Sequence, residues 1–150
     1  MGKSYFEEPT NPYHYVLHCI GGKWKMTILH EIYTYGKIRF NQTLKVLPIS
    51  EKVLSQQLKE LIRDGLVARI VNGDTFPPTI EYALTIEGAR LLPALDILYI
   101  WSIRQMDAKR IHADAFVVHQ AEKYVDALKD IMEANDFWPE TERRRREKKK

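Results

Sequence analysis

Lys52, Gln56, Lys59 and Arg63 follow one another in steps of four, three and four within ISEKVLSQQLKELIRDGLVAR, residues 49–69. At about 100° per residue these side chains form one stripe on a helix, opposite Leu54, Leu58, Leu61 and Ile62. Its centre holds three cations, an amide and no carboxylate, with Glu60 on its edge. Cations at this spacing neutralise phosphates and release counterions. An amide among them has the geometry to bond an adenine edge with two hydrogen bonds. A lysine row alone marks only a solvated helix face, so the flanking elements must decide between the two.

Upstream, residues 1–12 read as an irregular lead-in closing on Asn11-Pro12. Residues 13–20 form a short apolar helix stopped by Gly21-Gly22, two glycines that would let helices approach. KWKMTILHEIYTYG, residues 23–36, places Trp24, Ile28, Leu29 and Ile32 at helical spacing, with Gly36 as its stop. KIRF suits a brief strand. FNQTLKVL, residues 40–47, is a two-turn helix with Phe40, Leu44 and Leu47 inward, ended by Pro48. Ser50 is the N-cap of the helix quoted above, and Gly65 its stop.

Beyond Gly65 the period changes. LVARIV (66–71) and TIEYALT (79–85) alternate and are β-branched, so they form a hairpin across NGDTFPP. From Thr85 a long helix runs to about Arg110, bent at Pro93. It is apolar nearly all round, which in a chain of 150 residues points to burial against a second subunit. Residues 114–135 make an amphipathic helix with Val117, Ala121, Tyr124, Val125, Leu128, Ile131 and Met132 on one face.

The order of helix, short strand, helix, tight turn, helix and two-stranded hairpin is that of a winged helix-turn-helix. The expected fold class is mainly α with a small β-hairpin wing, dimeric, with an additional C-terminal helix. Its parts are a lead-in (1–12), a DNA-binding and dimerisation domain (13–110), a helical extension (111–138) and a basic disordered tail (139–150). The third helix of such a unit lies in the major groove. Ser55 and Gln56 are then the base-reading candidates, Lys59 and Arg63 the backbone-touching ones, and Lys52 suits either task.

The formal charge of +3 is an uneven sum. Arg143–Lys150 holds seven of the 23 cations and one of the 20 anions, leaving 16 against 19, or −3, elsewhere. Nucleic-acid binding must therefore rest on local placement rather than on net charge. No apolar run reaches the roughly 18–20 residues of a membrane span, and the N-terminus lacks a signal-peptide core, so a cytoplasmic protein is expected. The single cysteine, Cys19, excludes an intrachain disulfide. His14 and His18 lie near it without a further ligand cluster, so neither metal nor cofactor is expected. GGKWK lacks the first glycine and the Ser/Thr of a phosphate-binding loop, and HEIYT lacks the second histidine of a zinc protease, having Thr34 there. No nucleophile–base pair can be named, so no enzyme is expected.

Several stretches together resemble the HxlR-type transcription regulators, a branch related to MarR-like winged-helix dimers. They are IGGKWK (20–25), RFNQ (39–42), LPIS (47–50), LSQQLKELIRDGLV (54–67), PPTIEY (77–82) and LTIEGARLLPALDILYIW (84–101). The resemblance spans Tyr13 to Trp101 and implies a dimeric regulator that binds double-stranded DNA at a pseudo-palindromic operator. It implies phosphate contacts for Arg39, Asn41 and Gln42, and places Ser50, Lys52, Ser55, Gln56 and Lys59 on the recognition helix. The hairpin tip matches more loosely, with Asn72 as its DNA-contact candidate. The two-fold interface is expected from Tyr13, Leu17, Leu91, Leu95, Leu98 and Trp101. Trp24 is expected in the core.

One departure matters. Members that sense oxidants carry a cysteine just before the proline opening the first helix, where this chain has Asn11. Cys19 lies eight residues on, so control by an unidentified small-molecule effector, or constitutive binding, gains weight over thiol sensing. The alternative function is a winged-helix module for protein–protein contact without specific DNA binding.

Overall fold

The computed structural model describes residues 10–113, together with Phe6, Arg144 and Lys148. The expected helix over 114–135 and the basic tail, apart from these two residues, lie outside the described residues. The chain divides into two compact units, Met1–Leu92 and Pro93–Lys150.

The first unit holds α1 (Pro12–Ile20), α2 (Lys25–Tyr35), α3 (Phe40–Val46), α4 (Glu51–Arg63), β1 (Val67–Asn72) and β2 (Thr79–Leu84), and α5 (Ile86–Ala108) begins in it. Local chemistry sets most of these boundaries. Asn11 caps α1 by accepting a hydrogen bond from the Tyr13 N–H at 2.8 Å, and Pro12 takes the first turn, where no N–H partner is needed. Ser50 Oγ caps α4 by accepting from the Val53 N–H. Gly65, at φ +78°, follows the Asp64 C-cap in the left-handed conformation that ends α4.

The glycines after α1 serve a different purpose from the expected helix approach. A Cβ at Gly21 would overlap the Leu17 carbonyl of its own helix, and Gly22 sits at φ +103°. Both are requirements of the turn itself.

β1 and β2 pair antiparallel, from Val67 opposite Leu84 to Asn72 opposite Thr79. The expected short strand at KIRF is a single bridge, Ile38 with Tyr82, on the other edge of β2. That bridge ties the α2–α3 connection to the base of the wing. α2 packs on β2 and α4 packs on β1. Between them lies the core: Ile28, Leu29 and Ile32 of α2 are fully buried, as are Leu54 and Leu61 of α4. Leu47 and Ile49 are buried in the tight turn and anchor α3 to α4. The start of α5 is fixed by Thr85, whose hydroxyl donates to the Gly65 carbonyl and accepts from the Gly88 N–H. Gly88 lies so close to the Leu66 carbonyl that a Cβ would overlap it.

The continuous described part of the second unit is α5 from Pro93, which sits inside the helix, to its end at Ala108, followed by residues 109–113. Leu95 and Asp96 are buried, whereas Leu98 and Trp101 are exposed. This is a winged helix-turn-helix fold, and among the described residues no helix is long and apolar enough to cross a membrane.

Candidate nucleic-acid interface

α3, the turn at 47–50 and α4 form the helix-turn-helix, and α4 carries the stripe. Its amphipathic sequence fixes its rotation: with Leu54, Leu58 and Leu61 buried, Lys52, Gln56 and Lys59 must face outward, and all three are exposed. Ser55 is half-buried on the flank. The outward face of α4 from Lys52 to Lys59 therefore presents two ammonium groups and an amide.

Glu60 is the one acid at the edge of that face, and its charge is paired. Its Oε2 lies 2.9 Å from the Nζ of Lys25, a lysine of α2 that is only 5% exposed. Gln57 Nε2 donates to the same oxygen, and Gln56 Nε2 donates to Oε1 at 3.2 Å. The hydrogen bond from Lys25 and then that from Gln56 hold the Glu60 carboxyl below its usual range. Lys25, for its part, is a nearly buried cation that needs this partner. Charges 35 positions apart in sequence thus pair across α2 and α4, a contact no local pattern announces.

Arg63 is exposed but engaged. Its Nε and a terminal nitrogen each lie 3.1 Å from the two Asp64 carboxylate oxygens, and the same terminal nitrogen is 3.2 Å from His18 Nε2. His18 is also 3.7 Å from Asp64 Oδ1. This cluster joins the end of α4 to α1. Arg63 therefore differs from the other three members of the stripe, which the sequence ranks alike.

Arg39, Asn41 and Gln42 are exposed at the start of α3; the Arg39 carbonyl accepts from both the N–H and the hydroxyl of Thr43. Ser50 is exposed at the start of α4. Asn72, at the hairpin, spends its side-chain oxygen on the Asp74 N–H, which shapes the tip. Phe76 stands at that tip 99% exposed, a feature the turn sequence NGDTFPP does not advertise. Trp24 is half-buried beneath Lys23, whose Nζ lies 5.4 Å from the ring centroid.

The six residues expected at a two-fold interface separate by exposure. Tyr13 and Leu17 of α1 and Leu98 and Trp101 of α5 are exposed, at 81%, 65%, 47% and 63%. Leu91 is half-buried, and Leu95 is already buried within the single chain. Cys19 is buried as well; burial and the nearby Asp64 push its thiol up, against a hydrogen bond from Tyr15 that pulls the other way. Among the described residues no group of three His, Cys, Asp or Glu side chains is placed to hold a metal.

A family model described as HxlR-like helix-turn-helix matches residues 19–110. The chain belongs to the HxlR-like helix-turn-helix family. It is 40% identical over 114 residues to the uncharacterized HTH-type transcriptional regulator YtcD of Bacillus subtilis (strain 168), covering 75% of this chain and 87% of that protein. A crystal structure of ytcD superposes with a TM-score of 0.59 at 38% identity, over 65% of this chain and 99% of the other. The redox regulator HypR in its reduced form superposes at 0.62 with 35% identity, over 68% and 100%. This HxlR-type protein is a transcriptional regulator, and its family places the helix-turn-helix described above in the role of a DNA-binding element.

Proposed function

We propose that this protein binds double-stranded DNA sequence-specifically as a homodimer, at a pseudo-palindromic operator. The observation that carries the reading is the outer face of α4, where Lys52 and Lys59 stand exposed while Glu60, the acid at its edge, is paired with Lys25. Gln56 and Ser55 read base edges in the major groove, and Lys52 and Lys59 engage phosphates beside them. Arg39, Asn41, Gln42 and Ser50 hold the flanking backbone, and the hairpin at Asn72 reaches an adjacent groove. Arg63 orients the end of α4 through Asp64 and His18.

The homodimer reading is supported by the exposed aromatic and leucine side chains on α1 and α5. Apolar surface of that kind marks association. Two recognition helices related by a two-fold axis would meet half-sites about one helical turn, roughly 10 base pairs, apart. The buried, high-pKa Cys19 and the Asn11 before Pro12 favour control by something other than this thiol, whatever applies to HypR. The protein acts in the cytoplasm on this reading.

Selection of duplexes from a random pool tests it. The expected result is enrichment of a two-fold site whose affinity falls steeply with salt, since several lysines and arginines release counterions on binding. Failure to enrich any site, with only protein partners captured, would favour a winged-helix protein-contact module instead. Sedimentation should give a dimer at micromolar concentration and a monomer for Leu98→Glu, which places a charge in the apolar seam. A monomeric wild type would refute the dimer.

A further inference from the structure

Between α2 and α3 the fold leaves a cavity of about 330 Å³. Helical spacing builds its walls. Glu31 and Tyr35 lie one turn apart on α2, Gln42 and Val46 one turn apart on α3, and Lys37 and Arg39 flank the Ile38 bridge between them. The depths of these groups differ. Glu31 is 7% exposed, while Tyr35, Lys37, Arg39 and Gln42 are exposed. Among the described residues the Glu31 carboxylate has neither a hydrogen bond nor an ion pair. Burial pushes its carboxyl above the usual range, against a smaller opposing pull from His30. A buried acid without a partner is costly, and in a cavity wall it is a ready acceptor for a cationic donor.

We propose that this cavity is a small-molecule site for an arylalkylamine, protonated at neutral pH, that carries a carboxylate at its far end. The ammonium group pairs with Glu31 at the back, the ring lies along Tyr35 and Val46, and the carboxylate meets Arg39 and Lys37 at the mouth. A volume near 330 Å³ is at the lower end of the range for such sites, which suits a single-ring ligand. The ligand would draw on Arg39 and lie beside Gln42, two side chains assigned above to DNA phosphate. Occupancy and operator binding then oppose one another, and by linkage the effect is reciprocal. That coupling rests on the DNA reading, whereas binding of the ligand does not.

The probe is 4-(aminomethyl)benzoate, titrated calorimetrically into the full-length protein, with benzylamine and benzoate for comparison. The expected order of affinity is 4-(aminomethyl)benzoate, benzylamine, benzoate, and Glu31→Gln should lower affinity for the first at least tenfold. Val46→Trp, at a half-exposed position, should fill the cavity and abolish binding even if the glutamine variant folds poorly. At a probe concentration ten times its Kd, operator affinity should fall about tenfold. No binding of either amine at millimolar concentration would overturn the site, as would binding indifferent to both substitutions. Tight binding of the probe with unchanged operator affinity would overturn the coupling. Loss of operator binding in the ligand-free arm would count against the DNA reading alone.

Discussion

Two stretches of α4, one running to Lys59 and one from Glu60 to the end, have opposite fates. In the first, Lys52, Gln56 and Lys59 face solvent, with only Gln56 lightly engaged by Glu60. In the second, Glu60 is bound by Lys25 and Arg63 by Asp64 and His18. The first stretch is available to a partner; the second is committed to holding α4 against α1 and α2. A charged side chain on a helix therefore carries functional information only once its partners are known.

The largest expected effect comes from breaking the committed stretch. Glu60→Ala strands the Lys25 ammonium, which is left with the His18 carbonyl at 3.5 Å, and should cost about 3 kcal/mol in thermal or denaturant unfolding. A cost under 1 kcal/mol would show that the pair does not hold the two helices. The contribution depends on pH in a definite direction. Because the Glu60 carboxyl is held below its ordinary value of 4.5, its stabilisation is present above that pH and is lost as pH falls through the depressed range.

Asp96 on α5 sharpens the contrast, since it is buried and no hydrogen bond or ion pair meets it among the described residues. Burial raises its carboxyl to about 6. The sign reverses: the folded chain pays a penalty that is full above about pH 6 and gone below about 3.8. Asp96→Asn should therefore stabilise the protein at pH 7, by up to about 3 kcal/mol, and leave it unchanged at pH 3.5. Equal stability of the two proteins at pH 7 would contradict this.

What was legible in the sequence follows the same division. The cap at Ser50 and the stops at Gly36 and Gly65 are local chemistry, and each stands where its residue type indicates. The core faces of α2 and α4 follow from periodicity. The Lys25–Glu60 pair and the Ile38–Tyr82 bridge join residues far apart in the chain, so no periodic pattern contains them. The stripe itself was visible, but the diversion of Arg63 was not: its acid is the adjacent Asp64 and its histidine is 45 positions upstream. The cavity around Glu31 was hidden for the same reason, because a glutamate in HEIYT reads as an ordinary exposed helix residue.

Smaller effects separate the cations on DNA. Lys59→Ala should weaken binding to all duplexes several-fold and reduce the salt slope by about one, as expected for one lost phosphate contact. Arg63→Ala should leave the slope unchanged, because its guanidinium is held by Asp64. A matching change in slope for both would show that Arg63 turns outward on DNA. The smallest effect is at Cys19: the serine variant should bind operator like the wild type under reducing and oxidising conditions. Release of the wild type alone by diamide would assign this thiol a sensing role.

The central claim, that the outward face of α4 reads DNA, is tested most directly by Gln56→Ala, compared with wild type on the selected duplex and on a scrambled duplex of equal length. The account predicts a loss of about 1–3 kcal/mol on the selected duplex, little change on the scrambled one and unaltered thermal stability. An equal loss on both duplexes, or none on either, would contradict it.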